Sequence, residues 1–79
     1  MMTDYTPIDC GQYSEYELAI LRQKRLRICW HDADGQSHID VLMPIDLFTR
    51  SSEEFLLLDR GDGEPFELRL DRISKTEAL

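Results

Sequence analysis

The sequence predicts a mainly β domain with one N-terminal helix, followed by a small, strongly bent five-stranded barrel. Three observations carry this expectation. At 79 residues the chain is long enough for one core and too short for two. Ser14 stands three residues before Glu17, a spacing that opens a short helix. From Lys24 onward the apolar period falls to two, and turn residues punctuate the apolar runs.

Composition narrows the class of function. The apolar fraction is 42%, outside the regime of disordered chains. Nine basic residues against 16 acidic ones leave a net charge of −7, a field that repels a phosphate backbone, so direct nucleic-acid binding is not expected. No apolar run approaches the roughly 18 residues of a membrane span, and Met1-Met2-Thr3-Asp4 has neither the basic nor the apolar region of a secretory signal. A cytoplasmic address is therefore expected, with no membrane contact. Cys10 and Cys29 are too few for a disulfide framework and are expected as thiols used in core packing. Charge also falls in blocks: residues 1–19 hold Asp4, Asp9, Glu15 and Glu17 and no Lys or Arg, which marks a docking surface for a basic partner.

Each element follows in turn. Residues 1–12 contain Pro7 and Gly11 without clear periodicity and read as an extended arm. Ser14 as N-cap starts a helix over 14–22, with Glu15 and Glu17 in its first turn; Tyr13 and Leu18 then take the positions of a hydrophobic staple. Leu26, Ile28 and Trp30 alternate with Arg25, Arg27, Cys29 and His31 in a half-buried strand. Asp32-Ala33-Asp34-Gly35 is a hairpin turn, and Ile39, Val41 and Met43 alternate with His38, Asp40 and Leu42 in the return strand, which Pro44 ends. Arg25 and Arg27 are expected to pair with the neighbouring acids, Asp40 among them.

A loop holding Asp46, Leu47 and Phe48 comes next. Phe55 to Leu58 is apolar on both faces and reads as an inner strand. Arg60-Gly61-Asp62-Gly63 turns the chain into Phe66-Glu67-Leu68-Arg69-Leu70, a fourth alternating strand. Asp71-Arg72 forms a corner, and Ile73 to about Thr76 supplies the fifth strand. One helix cannot cover both faces of an open sheet, so 24–76 curls into a barrel that the helix caps. A curved open sheet with the helix on its concave face is the alternative. The whole chain, 1–79, is a single domain.

Catalytic chemistry finds no purchase here. Cys10, Cys29, His31 and His38 lack the short spacings of structural metal sites, so no metal or other cofactor is expected. There is no P-loop, dinucleotide fingerprint or nucleophile elbow, and no enzyme activity is expected.

Two end motifs, Tyr5-Thr6-Pro7-Ile8-Asp9-Cys10 with Tyr13 and Glu17-Leu18-Ala19, and Glu67-Leu68-Arg69-Leu70-Asp71-Arg72-Ile73, resemble the signature of the Rof (YaeO) family of small bacterial Rho-binding antiterminators. Weaker likeness continues through Leu26, Asp34-Gly35, Asp46-Leu47, Arg50 and Phe55-Leu56. The resemblance implies an Sm-like fold and a partner: the N-terminal, RNA-loading domain of the hexameric transcription terminator Rho. It implies a monomer that keeps RNA out of Rho's primary site and so lowers termination.

The family's contact surface combines the helix start with the loop before the third strand. Carried over, it names Tyr13, Ser14, Glu15, Glu17, Arg50, Ser51 and Ser52. Ser14 departs from the acid of the best-known member, leaving Glu15 to substitute for it, and Ser51 stands where that member is basic. A groove built for single-stranded RNA offers basic and stacking groups, which carboxylates and tyrosines can also engage. An Sm-like RNA-binding or adaptor module unconnected with Rho is the alternative.

Overall fold

The computed structural model describes residues 4–61 and 63–79. Its elements are α1 (Cys10–Arg22), β1 (Leu26–His31), β2 (Ser37–Arg50), β3 (Glu53–Asp59), β4 (Pro65–Arg69), a 3-10 turn (Leu70–Arg72) and β5 (Ile73–Ala78). Residues 1–3 of the expected arm and Asp62 of the expected β3–β4 turn lie outside the described residues.

The five strands form one antiparallel sheet in the order β4-β3-β2-β1-β5. Its two outermost strands are consecutive in the chain, joined only by the turn Leu70–Arg72. Three residues of 3-10 helix span about 6 Å, so the sheet has to curl until those strand ends meet. Trp30 of β1 accordingly reaches Phe66 of β4, with ring centroids 5.2 Å apart, although β2 and β3 separate their strands in the ladder. The ladder ends at β4 and at β5, so the sheet is strongly bent but open.

Tyr16 and Ala19 of α1 enter a core built from Leu26, Ile28, Leu42, Leu56, Leu58, Leu68 and Leu70. Burying one such leucine or isoleucine side chain stabilises the fold by about 1.5–3 kcal/mol. The period-two reading of β1 holds, since Leu26 and Ile28 are buried and Trp30 packs against them.

The helix starts earlier than Ser14. Asp9 is its N-cap, its Oδ1 accepting the Gln12 N–H at 2.8 Å, while the Tyr13 N–H donates to the Asp9 carbonyl at 3.1 Å. Once a competent cap stands upstream, each added residue contributes a backbone bond at little further entropic cost, so the longer helix wins. Ser14 is then exposed on the second turn, and Glu15 and Glu17 lie beyond the first turn, which holds no acid. Ile8 and Tyr13 take the staple positions in place of Tyr13 and Leu18, and both pack against the core. At the other end Gln23 adopts φ 52°, and bonds from Gln23 N to Ile20 O and from Lys24 N to Ala19 O close the helix as a Schellman motif.

Pro44 does not end β2. The strand runs unbroken from Ser37 to Arg50, and the register shifts between Pro44 and Asp46, so the proline sits at a bulge, where a missing N–H is tolerated. Asp46, Leu47 and Phe48 are therefore strand residues. The first half of β2 pairs with β1 and the second with β3, which places the bend of the sheet in this one long strand.

The β1–β2 register sets Ile28 opposite Asp40 and Leu26 opposite Leu42. Asp40 thus shares the inner face and accepts the Trp30 indole N–H at 2.9 Å, so it pairs with neither Arg25 nor Arg27. Arg27 stands instead beside Glu77 at 3.8 Å. Leu42 is buried, whereas Ile39 and Val41 are exposed. Of the cysteines, Cys10 is exposed on α1 rather than in the core, and Cys29 is half-buried. Among the described residues no helix is long and apolar enough to cross a membrane.

Candidate protein-docking site

The end motifs meet in space. Arg69 of β4 donates from Nε to Asp71 Oδ1 at 2.6 Å and from Nη2 to Asp71 Oδ2 at 3.0 Å, a two-pronged pair. Its Nη1 reaches Asp4 at 2.7 Å and Glu53 at 3.4 Å. Asp71 Oδ2 also accepts the Thr6 backbone N–H at 3.0 Å, and the Tyr5 hydroxyl donates to Glu54 at 3.1 Å. The N-terminal arm is thereby tied to the end of the sheet, and that fixes where α1 begins. Burial first, then the hydrogen bond to Glu54, holds the Tyr5 phenol well above its ordinary range.

On this frame α1 lays Tyr13 and Glu17, one turn apart, against the middle of β2. A recess of 270 Å³ opens there, lined by Tyr13, Glu17, Ile20, Leu21, Asp46 and Leu47. The Tyr13 phenol is held above its ordinary value by burial and then by the fields of Glu54, Glu17 and Asp46. It keeps its proton and remains a hydrogen-bond donor.

Several acids elsewhere are matched to cations: Glu67 with Arg50 at 2.6 Å, Glu77 with Lys75 at 3.3 Å, Asp32 with His38 at 2.8 Å; Asp40 and Glu54 instead accept from Trp30 and Tyr5. Among the described residues Glu17 and Asp46 are paired with no basic side chain. Leu21, 79% exposed, forms an apolar rim. Two carboxylates and a phenol above aliphatic walls suit the head and stem of a partner's Arg or Lys.

The other expected contacts spread out. Ser14 is exposed on the helix, and Glu15 faces a different groove, toward β5. Ser51 and Ser52, with φ 52° and 64°, are the two central residues of the β2–β3 hairpin turn. Arg50 lies over the rings of Phe55 and Phe48, at 4.9 and 5.4 Å from their centroids, and bonds Glu67. None of these five residues lines the Tyr13 recess.

Asp46 and Glu54 are the residues that sequence reasoning missed. They come from β2 and β3, and only the fold brings them to Tyr13. The likeness at Asp46-Leu47 was the one available signal. No family model matches the chain, and no curated protein matches it.

Proposed function

We propose that this protein is an inhibitor of the transcription termination factor Rho. It docks on Rho's N-terminal, RNA-loading domain and blocks RNA from the primary site, giving antitermination. The observation that carries this reading is the Tyr13 recess, where Glu17 and Asp46 have no cation partner among the described residues and Glu54 adds to the negative field. Such a surface favours a basic partner and repels RNA itself. The residues resembling the Rof family support the choice of partner, and the curl that brings Trp30 to Phe66 supports an Sm-like barrel as the fold.

In this reading the protein is a cytoplasmic monomer when free. Tyr13, Glu17 and Asp46 form the main contact, with the turn at Arg50, Ser51 and Ser52 at its margin. The opposed charges are exposed and screened by salt, so the complex weakens as ionic strength rises. Pull-down of purified Rho N-terminal domain tests it: the wild type should retain the domain at low salt, and E17K should retain much less. Retention of labelled RNA with no hold on Rho would instead favour an RNA-binding module.

A further inference from the structure

The strand β5 pairs with β1 and, among the described residues, has no ladder on its other side. An outer edge of this kind presents backbone donors and acceptors to any extended chain that can reach it. Here the edge is not on open ground. Two adjoining hollows of 410 and 370 Å³, sharing Glu15, Tyr16 and Thr76, lie between α1 and β5. The larger is walled by the start of α1 and by Ile73 to Thr76 of the edge strand, with no β1 residue. The smaller continues along Leu18 and Ala19 toward Ala78, with Leu26 beside it.

Dimensions and charge specify the occupant. Thirteen helical residues and six strand residues each extend about 20 Å, so the groove matches an extended segment of about six residues. Asp9 and Glu15 stand at the end where β5 begins, and Arg22 and Lys24 at the end where it finishes. Lys75 also lines the acidic half, where Glu77 holds it at 3.3 Å.

We propose that the groove between α1 and β5 takes an extended partner peptide that adds to the sheet antiparallel to β5. Its acidic residue lies toward Arg22 and Lys24, its apolar residues face Leu18 and Leu26, and its basic residue lies toward Asp9 and Glu15. A second copy of this chain is disfavoured as the occupant, because each copy carries −7 and β5 itself bears Lys75 and Glu77, charges of the sort that blunt an edge against self-pairing. The groove lies on the other flank of α1 from Tyr13 and Glu17 and stands independently of the Rho reading.

The test titrates the isotopically labelled full chain with acetyl-Glu-Thr-Val-Thr-Val-Thr-Lys-amide, whose Glu, Val and Lys side chains share one face of an extended strand, and follows amide resonances and hydrogen exchange. The expected result is saturable shifts with a dissociation constant on the order of 1 mM or tighter, together with slowed exchange at alternate β5 amides. E15K should weaken binding about threefold, the scale of one exposed ion pair, with the helical circular-dichroism signal unchanged. The reversed sequence, acetyl-Lys-Thr-Val-Thr-Val-Thr-Glu-amide, should bind more weakly. The proposal is overturned if β5 amides do not respond, if the reversed peptide binds equally well, or if light scattering shows a dimer whose β5 amides are already protected.

Discussion

Arg69 and Asp71, two residues apart across the corner that ends β4, face each other through parallel hydrogen bonds of 2.6 and 3.0 Å. The Arg69 side chain is only 11% exposed and also serves Asp4 and Glu53. Replacing it leaves three carboxylates facing one another. R69A should cost about 2–3 kcal/mol, the scale of charged hydrogen bonds lost from a partly buried site, and should free the arm. R69K keeps the charge but loses the planar fork, so it should rescue only part of that. Urea unfolding measures the cost, and proteolysis near Thr6 reports the release; equal stability of R69A and wild type would remove the node from the account.

The helix start separates two caps. D9A should cost about 1 kcal/mol, whereas S14A, at an exposed position within the helix, should be neutral or slightly stabilising. Thermal unfolding with far-UV circular dichroism distinguishes them, and the reverse order would restore the start at Ser14.

The hairpin turn holds serines at φ 52° and 64°, where side chains with a Cβ are strained. Replacing Ser51-Ser52 by Asn-Gly, the pair that this two-residue turn prefers, should stabilise the fold by about 1 kcal/mol. A fall in the urea midpoint would show that the turn is of another kind.

Acid should weaken the fold through two carboxylates. Asp4 is held below its ordinary 3.8 first by the Arg69 hydrogen bond and then by that residue's field. Asp32 is held below 3.8 first by His38 and then by the Gln36 backbone N–H. Both bind protons less readily folded than unfolded, so their contribution is fully present above pH ~4 and is lost as pH falls through the lowered folded values. The doubly substituted D4N/D32N protein should therefore lose less of its urea midpoint than wild type between pH 6 and pH 3. Equal losses would count against both pairings.

Much of the fold is legible in local pattern. Leu26, Ile28, Leu68 and Leu70 are buried where a period of two puts them, and Gly35, at φ 84°, turns the first hairpin. The helix start was misread because Ser14-Glu17 and Asp9-Gln12 are both capping spacings, and choosing between them depends on tertiary contacts at Ile8 and Tyr13. Pro44 misled for a related reason: whether a proline ends a strand or sits at a bulge depends on the partner strand. Of the candidate site, Tyr13 and Glu17 share a helix face by spacing alone. Asp46 and Glu54 join them only through β2 and β3, more than 25 residues along the chain, a distance that no local period spans.

RNA displacement tests the central claim most directly. A fluorescent single-stranded RNA is bound to purified Rho N-terminal domain, and the protein is titrated in while anisotropy is recorded. The wild type should return the RNA to its free value, and E17K/D46K, with intact circular dichroism, should need at least about tenfold more protein. RNA that stays bound at saturating wild type, or displacement by the charge-reversed protein at the same concentration, would contradict a Rho inhibitor acting through the Tyr13 recess.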